Sequence, residues 1–439
     1  MKRSASSISP SAKRARLEVP ESHLTPSVRD GTGAIVWPAP RAQIERARDL
    51  ILECAGAGKR TVIVPDKDAD GLSAGAIIQK TLVLLGMDPD LISVHLVRKG
   101  SNIHEESGRA AMTAQRPEYI FVLDQGSRKS PPLIYTRHKA MVIDHHWALE
   151  DDFPEGSEHV TACDCPPVAT SSLLAYHICN ELHDQVKLNC DWLCVMGTQG
   201  DLGNKLNWRP PFPDMDATFK THTKKAINEA VSRIAAPRRT AAFNIHAAWA
   251  ALTAADSPAD VVKDSSLTAA RAEINRELGR FAWATPRFSG DGKIAILRIN
   301  SATQIHPVIA TKWAAYLQSP LLEVVIAAND GYLPGMVSFS CRISRSARVR
   351  HPPVNIIEVL QGIAAKVPDP TLRERLCESF TKGHKEASGG SVPKAEFEEF
   401  VEILEIGKRP EGDNAKDKND AASDPFHTLT SYFGEQNTT

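Results

Sequence analysis

The sequence predicts an α/β protein, with an N-terminal parallel-sheet domain joined by helices to a smaller C-terminal α/β domain. Three observations point there. Short apolar runs alternate with helix-period stretches between Thr61 and Ile143, the pattern of parallel strands with crossover helices. Three of those runs end in carboxylates or imidazoles: Pro65 leads into Asp66-Lys67-Asp68-Ala69-Asp70-Gly71, Leu123 into Asp124-Gln125-Gly126, and Ile143 into Asp144-His145-His146. A second strand-and-helix series opens near Lys293, after an Ala-rich helical stretch over 240–285.

In chain order, Ile44, Ala47, Leu50, Ile51 and Cys54 form the first helical stripe. The strand over 61–65 delivers Asp66, Asp68 and Asp70 into a turn at Gly71, and a helix begins near Ser73 and runs through Leu85. A strand over 91–97, a helix over 105–114 and strands over 119–123 and 140–143 follow. Helices are expected at 169–182, 190–196 and 220–234, with Gly197-Thr198-Gln199-Gly200-Asp201-Leu202 following the second of them. The later unit has strands at 293–299, 321–328 and 335–342, and helices at 307–317, 354–366 and 394–405. No internal repeat stands out. The expected division is a disordered basic segment over 1–41, a first domain over 42–235, a helical connector over 236–288, a second domain over 289–407 and a disordered tail over 408–439.

Composition narrows the class. At 439 residues the chain is long enough for two cores. Its formal net charge of −1 gives no global basic field, so any affinity for a polyanion must come from local patches. No apolar run approaches the roughly 20 residues that span a bilayer, and no signal-peptide core follows the start. A soluble, intracellular protein with no membrane partner is expected. Eight scattered cysteines suit reduced thiols better than a disulfide framework. Cys163-Asp164-Cys165 and Cys190 with Cys194 fit the usual zinc-binding pairs poorly.

The acidic clusters carry the chemistry. Alternate spacing in an extended segment would put Asp66, Asp68 and Asp70 on one side. Like charges that close repel, so the arrangement makes sense with a cation among them. A calcium-like or solvated acidic turn is the bland alternative, since Asp and Gly are common turn residues. In open α/β sheets, ligands bind beyond the carboxyl ends of the strands, where all three strand-borne clusters sit. A mixed set of carboxylates and imidazoles suits Mn²⁺ or Mg²⁺ better than a thiolate-bound zinc.

The ordered set DKDADG, DQG, DHH and GTQGDLG resembles the four signature motifs of the DHH phosphoesterase superfamily, in its RecJ-like branch. Lys382-Gly383-His384-Lys385-Glu386-Ala387-Ser388-Gly389-Gly390 resembles the motif of the DHH-associated domain, with Lys382 where the family usually has another glycine. Phe339-Ser340-Cys341-Arg342 resembles the strand that carries a phosphate-binding arginine there. The likeness spans roughly residues 42–407. It implies a DHH domain followed by a DHH-associated domain, and hydrolysis of a phosphodiester by a water that two Mn²⁺ or Mg²⁺ ions activate. It further implies Asp68, Asp70, Asp124, His145 and Asp201 as metal ligands, with Asp124 bridging and Asp66 an additional or outer ligand. His146 would contact the phosphate or leaving group, and Asp144 would orient a histidine.

Substrate choice is expected in the second domain. Arg342, Arg345, Arg348 and Arg350 form a local basic run, and arginine forks suit phosphate oxygens; a solvated basic loop is the alternative. Gly383 and His384 could meet a phosphate or terminal nucleotide, and Arg98, in the turn after the second strand, is a further candidate contact or an ordinary basic turn. The expected activity is that of a single-strand exonuclease. The alternative is a phosphodiesterase for oligonucleotides of a few residues or cyclic dinucleotides, a reading favoured by the want of a large oligonucleotide-binding extension. A non-catalytic replication scaffold fits less well, because all four motifs are intact. A pyrophosphatase fits poorly too, since Val64 stands where those relatives carry a histidine. The basic clusters Lys2-Arg3 and Lys13-Arg14-Ala15-Arg16 resemble a bipartite nuclear signal, with a mitochondrial transit peptide as the rival. In the tail, Leu429, Tyr432 and Phe433 have the spacing of a sliding-clamp-binding peptide, with Phe426 where that motif usually has glutamine.

Overall fold

A computed structural model describes residues 25–352, 354–380, 383–384 and 387–406. The basic clusters before residue 25 and the aromatic segment at 426–433 lie outside these residues. The described chain divides into two compact units. The first comprises residues 25–283 with Asn300–Ile305 and Asp330–Pro334, and the second comprises the other described residues. Among the described residues, no helix is long and apolar enough to cross a membrane.

The first unit runs α1 (Arg41–Ala57), β1 (Thr61–Pro65), α2 (Ala69–Leu84), β2 (Ile92–Val94), α3 (Glu106–Ala114), β3 (Tyr119–Leu123), β4 (Lys139–Asp144) and β5 (Ser157–Thr161). Seven helices follow: α4 (Ser171–Cys179), α5 (Gln185–Leu202), α6 (Asp216–Thr221), α7 (Lys224–Ile234), α8 (Ile245–Ala254), α9 (Pro258–Lys263) and α10 (Ser265–Phe281). The five strands form one parallel sheet in the order β2-β1-β3-β4-β5. Every residue of β1 and β3 is buried, which is why both read as unbroken apolar runs. From β1 the chain crosses to β2 on one side, and from β3 it proceeds to β4 and β5 on the other. The crevice outside the carboxyl ends of β1 and β3 is therefore the switch point of the sheet.

Several expectations need correction here. The helix after β1 starts at Ala69, not near Ser73, because the Asp68 carboxylate caps it by accepting the N–H groups of Asp70 (3.1 Å) and Gly71 (3.2 Å). Asp66, Asp68 and Asp70 thus do not alternate along an extended segment; they occupy a strand end, an N-cap and a first helical turn. The strand expected over 91–97 is only β2, although the His95 N–H still reaches the Ile63 carbonyl at 2.9 Å. The helix expected over 190–196 extends through Leu202 and so contains the whole Gly197–Leu202 run. The one over 220–234 is broken between α6 and α7.

The second unit holds β6 (Arg287–Phe288), β7 (Ile294–Ile299), α11 (His306–Tyr316), β8 (Val324–Asn329), β9 (Met336–Ile343), α12 (Arg345–Arg348), α13 (Ile356–Ala364), α14 (Pro370–Phe380), β10 (Gly383–His384), β11 (Ala387–Pro393) and α15 (Lys394–Ile403). Its sheet, ordered β10-β11-β9-β8-β7-β6, is mixed: β7 and β8 are parallel and the other pairs antiparallel. One face packs Phe339, Leu360, Leu376, Phe397 and Phe400 into a separate apolar core. The α/β class with a parallel first sheet and a smaller second unit is as the sequence predicts.

Candidate metal centre

Asp66 follows β1, Asp124 follows β3 and Asp144 ends β4, so three carboxylates reach the carboxyl edge of the sheet from adjacent strands. Asp124 is buried and adopts a left-handed backbone (φ 62°), uncommon for a non-glycine residue and often found at functional sites. Next to it, the Gln125 amide donates to the Val64 carbonyl at 3.2 Å and ties the ends of β3 and β1 together. Gly71 has a packing reason: a Cβ there would lie 2.7 Å from the Asp66 backbone nitrogen. Only glycine lets the first turn of α2 approach Asp66 so closely.

Two ligand-spaced groups result. Asp66, Asp68 and Asp124 each offer an oxygen within a common 4.8 Å, and Asp124, His145 and His146 do the same. Asp124 belongs to both. His145 Nε2 lies 3.2 Å from Asp124 Oδ1 and 3.8 Å from Asp201 Oδ2. No cysteine joins either group among the described residues, and those described are free thiols.

Asp70 stands slightly apart. Its two oxygens accept the backbone N–H groups of Ser171 (2.7 Å) and Ser172 (2.9 Å) at the start of α4, a helix end that favours negative charge. The Ser171 hydroxyl donates to Asp124 Oδ1 at 3.0 Å. These serines, like Ser127, are not among the residues the sequence motifs single out. Thr170-Ser171-Ser172 before an apolar helix is a capping signature that could have marked them, since Thr170 caps α4.

Burial and crowding dominate the electrostatics. Desolvation, and then the charges of Asp70, Asp68, Asp66 and Asp144, push Asp124 well above the usual carboxylate range. Burial raises Asp70 to about 6, with His145 opposing and Asp201 reinforcing the shift. Burial would also raise Asp68, but Arg238, the Gly71 N–H and Lys67 outweigh it, and Asp68 sits below its ordinary value. So many carboxylates cannot all ionise beside one another without a cation. Carboxylate oxygens with one or two imidazoles suit a hard or borderline divalent ion, and the residues present therefore fit one.

His146 is set differently from His145. Its Nδ1 lies 2.8 Å from Asp144 Oδ1 and 4.0 Å from Asp124 Oδ1, and its side chain is 61% exposed. The bond to Asp144 raises His146 to about 9, against the effect of burial. Burial would raise Asp144 too, yet His146 and Ser127 hold it below the usual carboxylate range. Asp144 also accepts from the Ser127 hydroxyl (2.7 Å) and the backbone N–H groups of His145 (2.8 Å) and His146 (3.2 Å). The histidine it orients is thus His146.

The remaining candidates are dispersed. Arg98 is exposed in the loop after β2. In the second unit, Arg342 near the end of β9 donates to the Ser340 hydroxyl and Cys341 carbonyl (both 2.8 Å) and to Thr311 Oγ1 (3.2 Å). Strand register places His384 opposite Ala387, and Ala387 opposite Arg342, in one row across the sheet; Gly383 precedes His384 in β10. The basic run itself is split. Arg345 and Arg348 are exposed on α12, whereas Arg350 pairs with Glu323 at 2.9 Å.

No protein-family model matches the chain, and no curated protein matches it. Solved structures do. RecJ of Thermus thermophilus in complex with Mn²⁺ superposes with a TM-score of 0.56 at 18% identity, over 84% of this chain and 55% of that one. The fold is a RecJ-like DHH fold. A second structure, exonuclease RecJ bound to manganese, gives a TM-score of 0.55 at 18% identity over 85% of this chain and 95% of that chain. A DHH domain described as belonging to a family of ribosomal proteins gives 0.56 at 14% identity, over 83% of this chain and 91% of that one. The chain spans just over half the length of the Thermus RecJ.

Proposed function

We propose that the protein is a metal-dependent phosphodiester hydrolase acting on single-stranded nucleic acid, a RecJ-like exonuclease. The observation that carries this reading is Asp124, a buried carboxylate shared by two ligand-spaced groups at the switch point of a RecJ-like sheet. Asp66, Asp68, Asp124 and His145 would hold divalent ions, with Asp70 and Asp201 beside them. Two ions sharing Asp124 is the arrangement we favour. When bound, such ions supply a water acidic enough to attack at neutral pH and neutralise charge on the phosphoryl oxygens.

The chain's own groups do the rest. Asp144 fixes the His146 ring through Nδ1 and keeps it protonated at neutral pH, so the imidazolium can donate from Nε2 to a phosphoryl oxygen or give a proton to the leaving oxygen. Ser171 and the α4 amides hold Asp124 and Asp70 in place. In the second unit, Arg342 is braced by three hydrogen bonds and offers a guanidinium for a phosphate; His384 lies two strands away in the same row, and Gly383 in the adjacent one.

The second reading, turnover of oligonucleotides a few residues long, uses the same centre. End-labelled single strands of DNA and RNA, from two to forty nucleotides, separate the two in the presence of Mn²⁺. Degradation of long strands gives the exonuclease and its polarity; cleavage confined to the shortest oligomers moves the assignment to nucleotide turnover. For location, the basic clusters at Lys2-Arg3 and Lys13–Arg16 support a nuclear reading. A reporter fused to residues 1–25 that enters mitochondria overturns it.

A further inference from the structure

The loop after β4 carries a side chain that the carboxylate centre leaves unused. Asp144 accepts the N–H groups of His145 and His146 and so turns the chain just beyond the strand. Two residues after His146, Ala148 is buried, and its carbonyl accepts the Cys163 thiol at 3.7 Å. The Leu149 N–H then donates to the Asp152 carboxylate at 2.9 Å and closes the following turn. Between these anchors stands Trp147, 72% exposed. Consecutive Cα atoms lie about 3.8 Å apart, so Trp147 is one peptide from His146, on a loop tied down at both ends. Exposure rises along it, from His145 facing Asp124, through His146, to the bare indole.

Other tryptophans of the chain are put to use in the fold. Trp192 and Trp249 are buried. Trp37 packs against His177 and Phe212, Trp208 against Phe212 and Phe219, and Trp313 against Tyr316. Among the described residues, the Trp147 ring meets no other ring and no cation, and its N–H meets no acceptor. A scattered exposed leucine is ordinary. An indole is a larger apolar surface, and this one is held beside a candidate phosphodiesterase centre where the core gains nothing from it. A nucleobase is its natural complement, because every base has a π-face and stacking on an aromatic side chain tolerates any sequence. A phosphate that meets His146 brings its nucleoside to the neighbouring residues of this loop. A protein partner seated on Trp147 would instead cover His146 and close the centre to its substrate.

We propose that Trp147 is a stacking platform for a nucleobase of the substrate, the base adjoining the phosphate that meets His146. The inference rests on the phosphodiesterase reading, since it takes the substrate of that centre to be a nucleotide strand. Stacking reads the face of a base and neither its hydrogen-bonding edge nor the 2′-hydroxyl. DNA and RNA are therefore held alike, and purines, with larger faces, more tightly than pyrimidines.

The test uses the full chain with Mn²⁺, its Trp147→Ala and Trp147→Phe variants, and Leu188→Ala as a control. Leu188 is an equally exposed apolar residue, at the opposite end of α5 from Asp201. A hexathymidylate with the fluorescent base 2-aminopurine at each position in turn is mixed with excess protein in a stopped-flow cell, and cleavage is followed on a gel. At one position wild type and Leu188→Ala should quench the fluorescence at least threefold on mixing. Trp147→Ala should lose that quench and Trp147→Phe keep part of it. Wild type should also show a KM at least tenfold higher when that position is abasic, a ratio that falls below threefold in Trp147→Ala and is partly restored in Trp147→Phe. Quench and ratio both unchanged in the alanine variant overturn the platform. Quench lost with the ratio unchanged overturns its assignment to the reacting strand. Cleavage by wild type without quench at any position overturns the platform and spares the phosphodiesterase reading, leaving Trp147 to a protein partner. Quench through Trp147 by a protein that cleaves no strand sinks the functional reading and spares the platform. Melting of Trp147→Ala should stay within about 2 °C of wild type, as for other surface substitutions; a larger loss makes the indole part of the fold and overturns the proposal.

Discussion

His146 Nδ1 lies 2.8 Å from Asp144 Oδ1, so a buried carboxylate fixes the ring of an exposed histidine only two residues away. The pair explains why an aspartate precedes the two histidines. It also divides their labour, since His145 faces Asp124 and Asp201 while His146 is braced from behind.

That bond gives a pH dependence. His146 is raised from its ordinary 6.5 to about 9, so its contribution to stability is fully present below the unfolded value and is lost as pH rises through about 9. Asp144 is depressed, so its part is present above its ordinary value and lost as pH falls through the folded one. In EDTA, His146→Ala should melt below wild type at pH 6, and the gap should close by pH 10. A gap unchanged between those values would show that the ion pair contributes nothing. Asp144→Asn should cost more, about 2–4 kcal/mol, because a buried acceptor of several N–H and O–H groups is weakened; a urea titration at pH 7 measures it.

Asp124 should behave as a functional residue kept at the expense of stability. Its carboxylate is buried among four others, each raising the cost of ionising it. Asp124→Asn removes that repulsion, so in EDTA the variant should melt at or above the wild-type temperature. Millimolar Mn²⁺ should stabilise wild type, as any ligand of the native state does, and stabilise the variant far less. An equal Mn²⁺-induced shift in both proteins would remove Asp124 from the metal site.

The helix-borne motif at 197–202 is a packing device as well as the source of Asp201. A Cβ at Gly197 would run into Ser172 Oγ and lie 2.9 Å from Ser73 Cβ, where α5 meets α4 and α2. Gly197→Ala should therefore force these helices apart and cost about 1–3 kcal/mol. Since Ser171 and Ser172 hold Asp124 and Asp70, Mn²⁺ affinity should fall too. An alanine variant with unchanged melting and Mn²⁺ affinity contradicts this packing role.

Much of this is legible in the chain. β1, β3 and β4 announce themselves because strands buried on both faces are continuously apolar, and the acids at their ends follow from sheet geometry. β5, at the sheet edge, is hidden in the polar run Ser157-Glu158-His159-Val160-Thr161. β11 is hidden in the Gly-Ser-rich Ala387–Pro393, whose pairing comes from β9 and not from propensity. At the start of α2 the apparent alternation of acids misleads, because Asp68, an N-cap with Asp70 in the next turn, signals a helix.

The central claim is metal-dependent hydrolysis at Asp124, and single-turnover cleavage of an end-labelled oligonucleotide tests it most directly. Wild type with Mn²⁺ should cleave, EDTA should stop it, and folded Asp124→Asn should be slower by at least a thousandfold. Cleavage by the variant at the wild-type rate, or by wild type equally in EDTA, would contradict the account.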